Sequence, residues 1–454
     1  MDGVPRTRVG SLIRFTSAQR PPRCLAVLHS GITDDGGAVL NRMLLAALAE
    51  DAQVTLLTVG GVSDYGNVKV CALTGGGRPT QVDKARAVLN EAIRSHWPKD
   101  IGLPSNPFHF DMVLGSGWTS GREANLLRRT FYPTAVTANA LHMDPRGLGE
   151  ALGDIGNGGR VAEIHREIFR ESDLVFAPGP KAARDARRLV GEEGSSSRTP
   201  VHELIPGVTP VTGAPHRKGP VFELLMLGRV VDRNKGALDV ARAVGDLLRW
   251  GDRRVRLTLR GVPPGQVTSF QAFMDDVAGQ AGAVRVLPFT EDRARVDADI
   301  DACDALVVAS ENEAYGLVAG ECAARGRPFL VARGNGNGFA ELLSEPGGIA
   351  GEAGRRFVVE DAGTVSSYGR TMGSARPYAG PRHRVIVQAI AELMDDYDRM
   401  AGHARSLRSA LADYTPAHMA RAFGEAVHRV MSGDRTSTRQ GAGGRLLVPD
   451  RCPV

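Results

Sequence analysis

Short apolar runs alternate along this chain with longer stretches whose apolar residues recur at helical spacing. The run CLAVLHS at 24–30 predicts a buried strand, and the loop GITDDGG follows it. From Ala38, AVLNRMLLAALAE predicts a helix of strong helix formers, and VTLLTVG at 54–60 predicts the next strand. The unit is therefore βαβ. The rhythm continues through VKVCALT, FDMVLGS, TAVTANALH, DLVFAPG and VHELIPGVT, with helices expected over 83–95, 120–129 and 160–172. Strands alternating with helices imply a mostly parallel sheet covered on both faces.

The segment 206–220, PGVTPVTGAPHRKGP, is dense in Pro, Gly and Thr, and FELLMLGR begins a fresh strand at Phe222. A second set follows: helix 236–249, RVRLTLRG, helix 266–278, AVRVLPF, ALVVAS, helix 317–325 and PFLVAR. Residues 383–431 are helical in pattern, with Pro416 expected to open a new helix. The expected layout is a disordered basic arm at 1–23, one doubly wound α/β domain at 24–215, a second at 216–432, and a disordered tail at 433–454.

Composition narrows the class. With 42% hydrophobic and 24% charged residues in 454, the chain has the make-up of a folded soluble protein of two or three domains. No apolar run approaches the roughly 20 residues of a membrane helix. Arginine outnumbers lysine 50 to 6 and the net charge is +5, yet the arginines are spread and no nucleic-acid motif accompanies them, so no nucleic-acid partner is expected. The arm carries five arginines against one acid and lacks the apolar core of a secretory signal, which leaves a weak peripheral membrane contact open. Five scattered cysteines without a CxxC pair or metal-ligand spacing fit a reducing cytoplasm.

Candidate chemistry concentrates in ALVVASENEAYGLVAGECAARGRPFLVA. A strand should end near Ser310, a loop carries Glu311, Asn312 and Glu313, and a helix opens about Gly316. Amides at a helix start have no intrahelical partners, and the positive end of the dipole suits a phosphate. Glu313 before the helix and Glu321 a turn inside it can each accept two hydroxyl donors, which suits a sugar at the loop and a ribose deeper in. Tyr315 has two readings, a ring stacked on a base or a ring filling an interface. Cys322 reads as a small packing residue.

Glu313-x7-Glu321 within this segment resembles the signature of retaining family 4 glycosyltransferases. LGRVVDRNKG at 227–236, LIPGVT at 204–209 and the glycine loop with Gly36 and Gly37 agree with that resemblance, which covers most of 24–430. It implies the GT-B fold: two Rossmann-like doubly wound domains facing a central cleft, the first on the acceptor side and the second binding the nucleotide sugar, with the final helices returning towards the first. It also implies that Arg229 and Lys235 neutralise the donor diphosphate, that Glu321 binds ribose and that Glu313 contacts donor-sugar hydroxyls, with Ala314, Tyr315, Gly316 and Leu317 completing the donor loop. His142 matches a family histidine that reaches the donor sugar. Gly36 and Gly37 would approach phosphates or acceptor, with Asp34 or Asp35 holding acceptor groups. Ala309 in place of a proline, Pro206 in place of an asparagine and the glycine-rich GNGNG at 334–338 depart from the pattern, while Glu341 matches a family acid.

The expected activity is retaining transfer of a sugar from a UDP or GDP type donor to a hydroxyl or amine of a small-molecule acceptor, in natural-product or cell-envelope biosynthesis. No metal and no cofactor are expected, and the oligomeric state is open. A glycoside hydrolase would need two carboxylates flanking the scissile bond, and Glu321 beside the phosphate locus argues against it. A pseudo-glycosyltransferase or a non-catalytic nucleotide-sugar-binding relative is the alternative.

Overall fold

A computed structural model describes residues 20–28, 36–60, 66–73, 82–191, 199–209, 211, 218–250, 253–346, 348–361 and 382–433. The expected arm (but for its last four residues), the tail after Gly433, and Asp34 and Asp35 lie outside them.

The first sheet contains β1 (Arg23–Val27), β2 (Gln53–Val59), β3 (Lys69–Leu73), β4 (Met112–Gly115), β5 (Val136–Ala140), β6 (Leu174–Pro178) and β7 (Val201–Leu204). All pairings are parallel, in the order β3-β2-β1-β4-β5-β6-β7. Its helices are α1 (Gly36–Leu48), α2 (Val82–Ser95), α3 (Gly117–Phe131), α4 (Pro145–Leu152), α5 (Ile155–Arg170) and α6 (Gly179–Gly191). Successive residues of β1 serve opposite faces: Leu25 and Val27 join one core cluster with Leu89 and Leu127, whereas Cys24 and Ala26 join another with Leu44 and Phe423. A sheet covered on both sides needs that continuous apolar run.

The second sheet holds β8 (Phe222–Leu227), β9 (Val255–Val262), β10 (Val284–Pro288), β11 (Ala305–Val308), β12 (Phe329–Ala332) and β13 (Val358–Val359). It is also parallel, in the order β10-β9-β8-β11-β12-β13. Around it lie α7 (Ala237–Arg249), α8 (Val267–Ala278), α9 (Arg293–Ala302), α10 (Leu317–Ala324), α11 (Gly338–Ser344), α12 (Gly351–Arg355), α13 (Arg382–Asp395) and α14 (Tyr397–Ala410). In each sheet the order reverses beside the first strand, which is where open parallel sheets bind their ligands, between the loops leaving the carboxyl ends of the two central strands.

Pro416 does open the last helix, α15 (Pro416–Met431), behind an N-cap Thr415 whose hydroxyl accepts the His418 N–H at 3.2 Å. Met419, Phe423 and Val427 bury themselves in the first sheet's core, where the Phe423 ring meets Phe176 at 5.0 Å. The apolar pattern did not reveal α4, α6, α9, α11, α12 or β13. Alanine supplies three of the five apolar side chains that α6 buries, and α9 buries only Ile300, so neither shows the large-residue periodicity that marks a helix.

Candidate active site

The loops that follow β8 and β11 meet at the reversal point of the second sheet. After β8, a 3₁₀ turn at Arg233–Lys235 ends in Gly236 (φ 70°), where an added Cβ would lie 2.2 Å from the Ala309 carbonyl oxygen. Only glycine lets these loops approach so closely. Asn234 then clips them together. Its carboxamide donates to the Asn312 carbonyl at 2.8 Å and accepts the Asn312 N–H at 2.9 Å, while its own carbonyl accepts the Glu311 N–H at 2.8 Å.

This clip brings Lys235 Nζ to 2.6 Å from Glu313 Oε2, and the Ser310 hydroxyl donates to the same oxygen at 3.0 Å. Burial alone would push the Glu313 carboxyl up, but Lys235, Ser310 and Arg229 outweigh it and hold the group below its ordinary value. Glu313 is therefore an anion at neutral pH. Its main chain is fixed by a third loop: Glu313 N–H donates to Gly336 O at 2.9 Å, and Gly338 N–H donates to Glu313 O at 3.1 Å. Gly316 (φ 91°) turns the chain into α10.

The other expected residues lie on loops and helices of both sheets, each with its own partners. Arg229 is exposed, with Asp232 at 3.3 Å. Glu321, one turn into α10, accepts Arg293 Nη1 at 2.8 Å. Ala314 is buried in a cluster against which Met143 packs. The Tyr315 ring is 4% exposed, edge-on to Phe339 at 5.4 Å, and an added Cβ on Gly179 would come within 2.6 Å of it. Of its two readings, the ring takes the interface position. Leu317 packs against the cores of both sheets, and a Cβ on Gly36 would lie 3.9 Å from its Cδ1. Gly37 is the second residue of α1. On the first sheet, His142 Nε2 lies 3.0 Å from the Ser116 hydroxyl.

The two sheets also meet directly. Arg184 on α6 forms a two-pronged ion pair with Glu341 on α11 at 2.7 and 2.8 Å, and a Cβ on Gly147 of α4 would lie 2.0 Å from Asn312 Nδ2.

The model of a family described as "Family 4 Glycosyltransferase in conflict systems" matches residues 26–423. The chain belongs to this family of glycosyltransferases. It is 26% identical over 259 residues to the D-inositol 3-phosphate glycosyltransferase of Corynebacterium diphtheriae, a match covering 52% of this chain and 58% of that one. The match therefore spans little more than half the length of that curated relative. Among solved structures, sucrose-phosphate synthase from Thermosynechococcus elongatus superposes with a TM-score of 0.67 at 17% identity, covering 91% of this chain and all of that one. Anabaena HepE in complex with UDP and glucose gives 0.61 at 13% identity, covering 89% and 98%. These likenesses show the GT-B fold.

In this family 4 glycosyltransferase two groups that support the loops are not marked by the sequence motifs. Arg382, 2% exposed at the start of α13, donates to the carbonyls of Ala309 at 2.7 Å and Ser310 at 3.3 Å, and pairs with Asp361. Asp361 in turn accepts the Gly334 N–H at 2.7 Å, so one buried pair steadies two of the three loops. Asn234 is the other. Its neighbours in RNKG gave a signal, whereas Arg382 lies over 70 residues from its partners in the β11 loop and no local pattern marks it.

Proposed function

We propose that this glycosyltransferase moves a sugar from a nucleoside diphosphate sugar of the UDP or GDP type, with retention, to a hydroxyl or amine of a small-molecule acceptor. The observation that carries the reading is the Lys235–Glu313 pair, 2.6 Å apart at the reversal point beside Arg229. Cations there can take the charge that grows on a departing diphosphate, and the Glu313 carboxylate can accept hydrogen bonds from sugar hydroxyls.

In this scheme the bond from the anomeric carbon to the phosphate oxygen breaks as the acceptor oxygen or nitrogen attacks from the same face. The acceptor proton passes to the departing phosphate oxygen, and no protein nucleophile is used. Arg229 and Lys235 act on the leaving group, Glu321 holds the ribose, His142 meets the donor sugar, and no metal is assigned a part. HepE was solved with UDP and glucose, which favours testing UDP-sugars first. A relative named for D-inositol 3-phosphate supports a small polyol acceptor. We place the reaction in the cytoplasm, in natural-product or cell-envelope biosynthesis. Among the described residues no helix is long and apolar enough to cross a membrane.

The test is release of nucleoside diphosphate on addition of acceptor, after UDP-, GDP- and ADP-sugars have been ranked by thermal shift. Product with inverted anomeric configuration, or donor binding that survives both Arg229→Ala and Glu321→Ala unchanged, would defeat the reading.

A further inference from the structure

The Ser116 hydroxyl joins three elements of the first sheet. Ser116 caps α3 directly after β4 and is 6% exposed. Its main chain is pinned, since its N–H donates to Ser120 Oγ at 3.0 Å and its carbonyl accepts the Thr119 hydroxyl at 2.5 Å. The side-chain oxygen lies 3.0 Å from His142 Nε2, just past β5, and accepts Asn41 Nδ2 from α1 at 3.3 Å. Asn41 is itself 6% exposed.

Hydrogen counting then constrains the histidine. The Asn41 amide nitrogen can only donate, so it occupies a lone pair on Ser116 and leaves the hydroxyl proton to be placed. With the ring proton on Nε2 the Ser116 hydroxyl proton would sit between two donors, so the arrangement that pairs it is donation to Nε2, with the buried Nδ1 carrying the ring proton. The neighbouring imidazole does not compete: His165 Nδ1 meets the Val161 carbonyl at 2.9 Å, and its Nε2 accepts the Trp118 N–H at 3.4 Å. The loop that carries His142 is docked on the donor loop, because Met143 packs with the Ala314 cluster and Gly147 abuts Asn312.

We propose that Ser116 and Asn41 are positioning residues that hold His142 in one rotamer as the Nδ1–H tautomer during sugar transfer. This rests on the reading of His142 as a group that meets the donor sugar. A ring fixed before the donor arrives spends none of the reaction's driving force on finding its orientation.

The test combines ¹⁵N NMR of the His142 ring, assigned with His142→Gln, with steady-state kinetics. The full chain should show the Nδ1–H tautomer. Ser116→Ala should abolish that preference and lower kcat about tenfold while donor KM stays within about twofold, as expected when a reacting group is misplaced. Ser116→Thr, which restores a hydroxyl, should recover most of kcat, and Asn41→Ala should lie between. An Nε2–H ring in the full chain, or Ser116→Ala with unchanged tautomer and kcat, overturns the proposal. Should Ser116→Ala not fold, Asn41→Ala with the tautomer readout decides the matter. Absence of any transfer by the full chain defeats the reading of the reaction, and the NMR result still judges the tautomer.

Discussion

The two sheets share one strand order over six strands and differ in how the loops at their reversal points are held. In the second, three loops are tied through their main chains: Asn234 to the amides of 311 and 312 and the carbonyl of 312, Arg382 to the carbonyls of 309–310, and Glu313 to Gly336 and Gly338. In the first, the contacts around His142 run between side chains, from Asn41 through Ser116 to the imidazole. One architecture thus carries a charged cluster held through main-chain bonds and a polar one held through side chains, and the loops rather than the fold distinguish them. Main-chain clips hold the loops that carry Lys235 and Glu313 whatever side chains vary around them.

The strongest way to break this contrast is Arg382→Ala. It would remove the buried guanidinium that pairs with Asp361 and lies 3.8 Å from Asp239, and it should cost about 3–5 kcal/mol in chemical denaturation together with donor binding. A loss below ~1 kcal/mol would show that the second site does not depend on its buried clamp. Next, Lys235→Ala should lower kcat about 100-fold, read as nucleoside diphosphate release, since it removes one preorganised charge and frees Glu313 to the upward pull of burial. Glu321→Ala should act on binding instead, raising donor KM about tenfold with kcat little changed. Equal effects on kcat from both variants would erase the proposed distinction between leaving-group and ribose roles.

Acid should separate the two sheets more gently. Burial above all pushes His165 and His202 down to about 4, so below pH 6.5 the unfolded chain takes up protons that the folded first sheet does not. Stability of that part should fall between pH 6.5 and about 4. Glu313 lies below its ordinary 4.5, so its pairing contributes fully above that pH and fades as the pH drops through the lower folded value. Hydrogen exchange across this range should show the first sheet losing protection earlier; simultaneous loss would end the contrast. The smallest effect belongs to Arg184→Ala at the seam, where the exposed guanidinium makes the ion pair with Glu341 worth under ~1 kcal/mol.

Much of the candidate site on the second sheet was legible because its signal is local. Strand, loop, Gly316 and the two glutamates lie within one stretch, and Arg229 and Lys235 within another. The partners of those residues were not legible. Arg293 for Glu321, Arg382 for Ala309 and Ser116 for His142 are 28, 73 and 26 residues distant, and nothing in their own neighbourhoods marks them. The alanine-rich α6 was missed for another reason: small apolar residues bury well but give weak periodicity.

By itself the sequence determined the two parallel α/β sheets, since apolar runs four to eight residues long between helical patterns admit few other solutions. It also determined the family and the segment that carries Glu313 and Glu321, because those features are written in consecutive residues. Tertiary structure alone decided that Tyr315 fills the interface, that Glu321 carries an arginine, and that a serine hydroxyl meets His142. Those outcomes depend on distance in space between residues remote in the chain, where packing and hydrogen-bond satisfaction choose among partners that local pattern cannot rank.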